Sequence, residues 1–261
     1  MKLAYTEQGE HSTLPLVLIH AFPVTRRMWR RQWEGLSHTI RVFAPDLPGF
    51  GESPLLEKSP SVASYVETMV EFLDGLSIQR AVFGGCSMGG YFIFDLWRRH
   101  PHRVAGIILC DTRAEDDTPE LREKRMKSIE QVRSQGLAPL AEGMLPLLLC
   151  RETHEQRKEK VEEIRTDILG NTPQGIIHCL TALASRPDSR NTLKTISVPT
   201  LIVVGKDDVI TPPTIAQSLQ AGIPNSTLAV IPSAGHLSPF EQPEEVNAAI
   251  SKFIGSAGLI K

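Results

Sequence analysis

The sequence predicts an α/β protein: a mostly parallel sheet packed between helices. Short runs of almost purely apolar residues recur along the chain, segments with helical apolar spacing lie between most of them, and the alternation breaks only once. The apolar runs are "LPLVLIH", "IRVFAP", "RAVFGG", "VAGIILCD", "PTLIVVG" and "STLAVIP". A strand covered by helices on both faces has no polar side, so it reads as a continuous apolar run and not as an alternation.

The helical segments follow from spacing and from their stops. Residues 61–76 place Val62, Tyr65, Val66, Met69, Val70, Leu73 and Leu76 on one stripe, with Gly75 near its end. Residues 88–100 form a second such segment, ended by Pro101. Residues 243–254 put Val246, Ala249, Ile250 and Phe253 on one face. From about 113 to 195 the strands stop, and the chain reads "PELREKRMKSIEQVRSQG", "RETHEQRKEKVEEIRTDILG" and "QGIIHCLTALASR", charged and helical throughout. Because the strand pattern resumes at Pro199, this stretch is expected to be an insertion into one domain. Its charge runs are expected to be solvated helix faces. The expected division is a core of 1–112 and 192–261 with a helical cap of 113–191.

Composition bounds the function. A chain of 261 residues, 41% hydrophobic and 22% charged, is expected to form one large globular domain with a sizeable core. A net charge of -2 gives no electrostatic reason to expect nucleic acid or an acidic membrane as partner. The longest aliphatic stretches, such as "LPLLLC" at Leu145–Cys150, are far too short to span a bilayer. "MKLAYTEQGEHSTLP" has no apolar leader segment. The four cysteines, Cys86, Cys110, Cys150 and Cys179, are scattered without a CxxC pair, as expected of free buried thiols in a reducing compartment. The expected location is therefore the cytoplasm. "HEQRK" at His154 lacks the second histidine of a zinc motif, and no phosphate-cradling glycine loop is present. Neither metal nor cofactor is expected.

One short stretch points to chemistry. Gly85-Cys86-Ser87-Met88-Gly89 fits G-x-S-x-G, with an apolar run before it and a helical segment directly after. A serine on such a sharp turn needs glycine neighbours, and the turn sets the Met88 N–H at a helix start, where negative charge is favoured. Serine is a poor nucleophile unless a base takes its proton and a carboxylate orients that base. His236 follows the last strand candidate in "PSAGHLSPFEQP", and "VVGKDDVITPP" places Asp207 and Asp208 after the strand before it. Asp111, at the end of "GIILCD", is a rival acid. The early loop His20-Ala21-Phe22-Pro23 is placed to offer a second backbone donor, the N–H of Phe22.

On "HAFPVTRRMW", "APDLPGFGES", "GGCSMGG", "VVGKDDVITPP" and "GHLSPFEQP" the chain resembles the α/β-hydrolase-fold enzymes over essentially its whole length. The resemblance implies an eight-stranded, mostly parallel sheet with a helical cap inserted after the sixth strand. It further implies Ser87 as nucleophile, Asp208 as acid, His236 as base, and the N–H groups of Phe22 and Met88 as oxyanion hole. Ala21 departs from the pattern, since many relatives carry a second glycine there. "GCSMGG" with "LCDTRAEDDTPE" is most similar to small esterases and 3-oxoadipate enol-lactonases. The expected substrate is a small ester or lactone, with Arg113, Leu147 and Leu237 as candidate binding residues. Carbon–carbon bond hydrolysis and perhydrolysis use the same triad, and a ligand receptor without turnover is the alternative from another class. A monomer or homodimer is expected.

Overall fold

A computed structural model describes residues 2–9 and 14–259. Residues 1 and 10–13, within the segment read for a leader, lie outside them. The described strands form one seven-stranded sheet in the order β1-β3-β2-β4-β5-β6-β7. They are β1 (Tyr5–Gln8), β2 (Leu16–Ile19), β3 (Val42–Pro45), β4 (Ala81–Cys86), β5 (Val104–Cys110), β6 (Thr200–Gly205) and β7 (Ser226–Ile231). β1 runs antiparallel to β3, and every other pairing is parallel. The six apolar runs thus become β2 to β7. β1, "YTEQ", is an edge strand with its residues half-buried or exposed, so no apolar run announces it. Eight strands are expected from the resemblance; seven occur among the described residues, and the helical insertion accordingly follows the fifth.

Alternate residues of each central strand face opposite cores. Val17, Ile19, Phe43 and Phe83 pack in one cluster, with α2 (Val62–Gly75) and α3 (Met88–Arg99). Leu16, Leu18, Val42, Ala44 and Val82 pack in the other, with α1 (Arg30–Leu36) and α12 (Pro243–Ser256). All four residues of β2 are buried, as a strand with helices on both faces requires.

Six helices lie between β5 and β6: α4 (Pro119–Gln135), α5 (Ala138–Leu148), α6 (Arg151–Gln156), α7 (Lys158–Leu169), α8 (Pro173–Ala184) and α9 (Arg190–Leu193). Their starts are written locally. Thr118 accepts the Leu121 N–H ahead of Pro119, and Thr172 accepts the Gly175 N–H ahead of Pro173. The two ends of the insertion are tied together. Asp117 binds Arg125 and Arg186, Arg186 also donates to the Glu115 carbonyl, and the Ser189 N–H donates to the Ala114 carbonyl at 2.7 Å. The Arg186 guanidinium lies 4.3 Å from the ring centroid of Tyr91 on α3, which carries the clamp onto the sheet-bearing part of the chain. α10 (Pro213–Gly222) and α11 (Ser238–Glu241) complete the helices after β6.

Candidate active site

The C-terminal ends of the parallel strands converge on Ser87. β4 ends at Cys86, and Ser87 turns the chain into α3 with φ 50° and ψ −108°. A positive φ is costly for a residue with a side chain, about 1–3 kcal/mol, so the turn must be held from outside. The Ser87 N–H donates to the Cys110 carbonyl at 2.8 Å, and the Thr112 hydroxyl donates to the Ser87 carbonyl at 2.7 Å. The glycines are required by contact: a Cβ on Gly85 would lie 2.5 Å from the Gly89 carbonyl carbon, and one on Gly89 would lie 2.4 Å from the Ile19 oxygen. Met88 opens α3, so its N–H is among those with no carbonyl partner inside the helix.

A continuous hydrogen-bonded line runs from this serine. His236 Nε2 is 2.7 Å from Ser87 Oγ, and His236 Nδ1 is 2.8 Å from Asp208 Oδ2. All three residues are buried. Asp208 follows β6 and His236 follows β7, so the sheet brings together groups far apart in sequence. Asp208 Oδ1 accepts the N–H groups of Ile210 and Thr211, and Oδ2 accepts the Thr211 hydroxyl at 2.6 Å. Burial alone would raise the carboxyl's pKa. The bonds and charge of His236, with those from Thr211, outweigh it and hold Asp208 below its ordinary value. Asp207 is exposed, and its N–H donates to the Ala234 carbonyl at 2.9 Å.

Asp111 occupies a different place. It sits at the end of β5 with φ 47° and is buried. Its Oδ1 accepts the Gly205 N–H at 2.8 Å, and its Oδ2 accepts the amide and hydroxyl of Ser238 at 3.0 and 2.6 Å. These contacts join β5, β6 and the loop after His236, while the imidazole itself is bonded to Asp208. Burial, reinforced by the nearby charge of Asp208, raises the Asp111 pKa well above its ordinary value. Cys86 beside Ser87 is fully buried, and desolvation pushes its thiol pKa upward.

The early loop is equally fixed. His20 is fully buried; its Nδ1–H donates to the Ala21 carbonyl, and its Nε2 accepts the Leu47 N–H at 3.0 Å. Desolvation lowers its pKa, in keeping with the neutral ring that these bonds need. Ala21 is not among the positive-φ residues, so alanine serves where the family pattern has glycine. Its N–H donates to Met28 Sδ, the Val24 N–H donates to the Ala21 carbonyl, and Pro23 has no N–H. Of the other predicted residues, Arg113 donates to the Ile210 carbonyl beside Asp208. Leu147 is 44% exposed on α5, and Leu237 is fully buried with its N–H on the Leu148 carbonyl. Among the described residues no cluster of three or more metal-ligating side chains occurs.

Sequence reasoning passed over the residues that hold this site. Thr211 braces Asp208 from three positions downstream, just past the aspartate turn that the Ile210 N–H closes. Asp167 and Asn171, at the end of α7, reach the early loop. Asp167 accepts the Thr25 N–H and hydroxyl at 2.7 and 2.6 Å, and Asn171 donates to the Pro23 carbonyl at 2.9 Å. α8 places the Cys179 thiol 3.1 Å from Met88 Sδ. No local pattern marks these three, because each contact joins segments more than ninety residues apart.

A strained serine after a parallel strand, with a buried histidine and carboxylate on later strand ends, is the arrangement of an α/β hydrolase. The chain belongs to the alpha/beta hydrolase fold family, whose pattern matches residues 15–243. It is 29% identical over 248 residues to 3-oxoadipate enol-lactonase 2 of Acinetobacter baylyi, covering 95% of this chain and 91% of that one. A thermophilic esterase from Thermogutta terrifontis superposes with a TM-score of 0.94 at 41% identity, covering 98% and 93% of the two chains. The enol-lactonase from Burkholderia xenovorans superposes with a TM-score of 0.89 at 27% identity, covering 97% and 96%.

Proposed function

We propose that this enzyme hydrolyses small carboxylic esters through an acyl-enzyme on Ser87. The observation that carries the reading is the line Ser87 Oγ, His236 Nε2, His236 Nδ1, Asp208 Oδ2, with steps of 2.7 and 2.8 Å across the ring. Ser87 Oγ attacks the ester carbonyl carbon as its proton passes to His236 Nε2. Asp208 accepts the Nδ1–H, which fixes the ring's orientation and stabilises the cation. The carbonyl oxygen becomes an oxyanion facing the N–H groups of Met88 and Phe22, the pair that the likeness to the hydrolase family implies. His236 then protonates the departing alkoxide as its bond to the acyl carbon breaks. A water, deprotonated by the same nitrogen, attacks the acyl carbon and releases the acid with Ser87 restored. Residues 113–191 act as the cap over this site, and their side chains select the acyl group.

A second reading, lactone hydrolysis of the 3-oxoadipate enol-lactone type, is favoured by the likeness to the Acinetobacter and Burkholderia enzymes. The chemistry is the same; a lactone's leaving alkoxide remains joined to the acyl group. Ser87→Ala is expected to retain the circular dichroism of the parent and lose p-nitrophenyl acetate turnover by about 10⁶-fold. Near-native turnover by that variant would refute the mechanism. Initial rates on aryl esters of graded acyl length, with enol-lactones alongside, separate the two readings: preference for carboxylated lactones selects the second.

A further inference from the structure

His236 is gripped through its chain neighbours as well as its ring. The Gly235 N–H donates to Glu241 Oε1 at 2.6 Å, the Leu237 N–H donates to the Leu148 carbonyl at 3.1 Å, and Ser238 is bound to Asp111. Glu241 is fully buried, and its other oxygen leaves the loop: Oε2 accepts the Cys150 N–H at 2.9 Å, between α5 and α6 of the insertion. One buried carboxylate therefore joins the loop that carries His236 to the inserted helices. The two backbones meet without a side chain between them, since a Cβ on Gly235 would lie 2.7 Å from the Cys150 nitrogen and 3.0 Å from the Leu149 carbonyl carbon. Arg157 and Lys160 add a second tie, donating to the Glu241 backbone carbonyl at 3.0 and 2.8 Å.

We propose that Glu241 is a positioning residue for the reaction, making the aim of His236 at Ser87 depend on the docking of the α5–α6 junction. The inference rests on the reading of His236 as base. A carboxylate presents acceptors to both buried N–H groups, whereas the amide of a glutamine turns a donor towards one of them. That N–H is then buried without a partner, and the loop must shift to recover one. Displacing a general base by about 1 Å costs on the order of a hundredfold in rate while substrate binding, made elsewhere, is retained.

Glu241→Gln, assayed with p-nitrophenyl acetate, is expected to lower kcat by about tenfold to a hundredfold with KM nearly unchanged. Labelling of Ser87 by a fluorophosphonate should slow by a similar factor, because that step also needs His236 to take the serine proton. Gly235→Ala drives a methyl between the same two backbones and to 3.1 Å from Glu241 Oε1 while keeping the carboxylate, and the same loss in kcat is expected. In the unaltered protein, the Gly235 and Cys150 amides should exchange with solvent at a common slow rate, as partners of one bridge. The proposal is overturned if both folded variants keep kcat within about twofold, a change too small for a displaced base. It is equally overturned if the Cys150 amide exchanges more than about tenfold faster than that of Gly235, a measurement that needs no variant. An active Ser87→Ala would instead refute the hydrolase reading on which this one stands.

Discussion

At the scale of single residues, the two buried aspartates beside His236 have opposite surroundings. Asp208 is surrounded by donors, and its pKa is held below the ordinary value. Burial would raise it, but His236 and Thr211 outweigh that effect. Its carboxylate therefore contributes stability that is present above the unfolded pKa of about 3.9 and is lost as pH falls through the lower folded value. Asp111 has the reverse sign. Burial and the Asp208 charge raise its pKa, so its contribution is present at low pH and lost as pH rises through the folded value. Only Asp208 touches the imidazole, at 2.8 Å. Asp208→Asn is expected to lower kcat by about 10⁴-fold, the loss seen when a triad acid ceases to orient its histidine. Asp111→Asn keeps the imidazole's partner and should cost markedly less in kcat, with its main effect on stability. Steady-state kinetics on the two variants checks the order, and a larger loss from Asp111→Asn would reverse the assignment.

At the scale of elements, the β4–Ser87–α3 turn shows how packing limits substitution. Gly89 lies where α3 rests on the end of β2, with its would-be Cβ 2.4 Å from the Ile19 oxygen. Gly89→Ala must push the helix off the strand. It is expected to cost about 1–3 kcal/mol in urea unfolding, as overpacking of a close-packed interior does. The same displacement moves Met88 relative to the loop of Phe22, so kcat should fall as well. A variant with the parent's stability and rate would mean that the helix start yields freely. This element was legible in the sequence because its requirements are local: an apolar run, flanking glycines and a helix directly after. β2 to β7 were legible for the same reason, each being an apolar run between turns. β1 was not, because "YTEQ" gains its pairing from β3 and not from its own apolarity. Ser87, Asp208 and His236 were legible through the order of strand ends. Asp167, Asn171 and Cys179 were not, since what they hold is determined by how the insertion folds back over the sheet. Glu241 stood inside the motif "GHLSPFEQP", yet nothing in the motif says that its second oxygen reaches Cys150.

At the scale of the whole molecule, the insertion is bound to the remainder and is also closed on itself. α7 binds the early loop through Asp167 and Asn171, the α5–α6 junction binds the loop of His236, and Asp117 with Arg186 closes the insertion at its base. The third is an ion pair with both side chains almost fully out of water, 1% and 3% exposed. Charges so placed lose their hydration, and the pair is kept only because each is bonded on several sides: Asp117 to Arg125 and Arg186, Arg186 also to the Glu115 carbonyl and the Tyr91 ring. Removing one partner strands the other. Arg186→Met is therefore expected to destabilise the protein by about 3–5 kcal/mol at pH 7 in urea unfolding. Burial raises the Asp117 pKa, but the bonds and charges of Arg125 and Arg186 outweigh it and leave it below the ordinary value. The stabilisation is thus present above about pH 3.9 and lost as pH falls through the lower folded pKa. The deficit of Arg186→Met relative to the parent should accordingly shrink when both are unfolded near pH 3. A deficit that is the same at both pH values would show that the arginine acts through its packing on Tyr91 and not through the charge of Asp117.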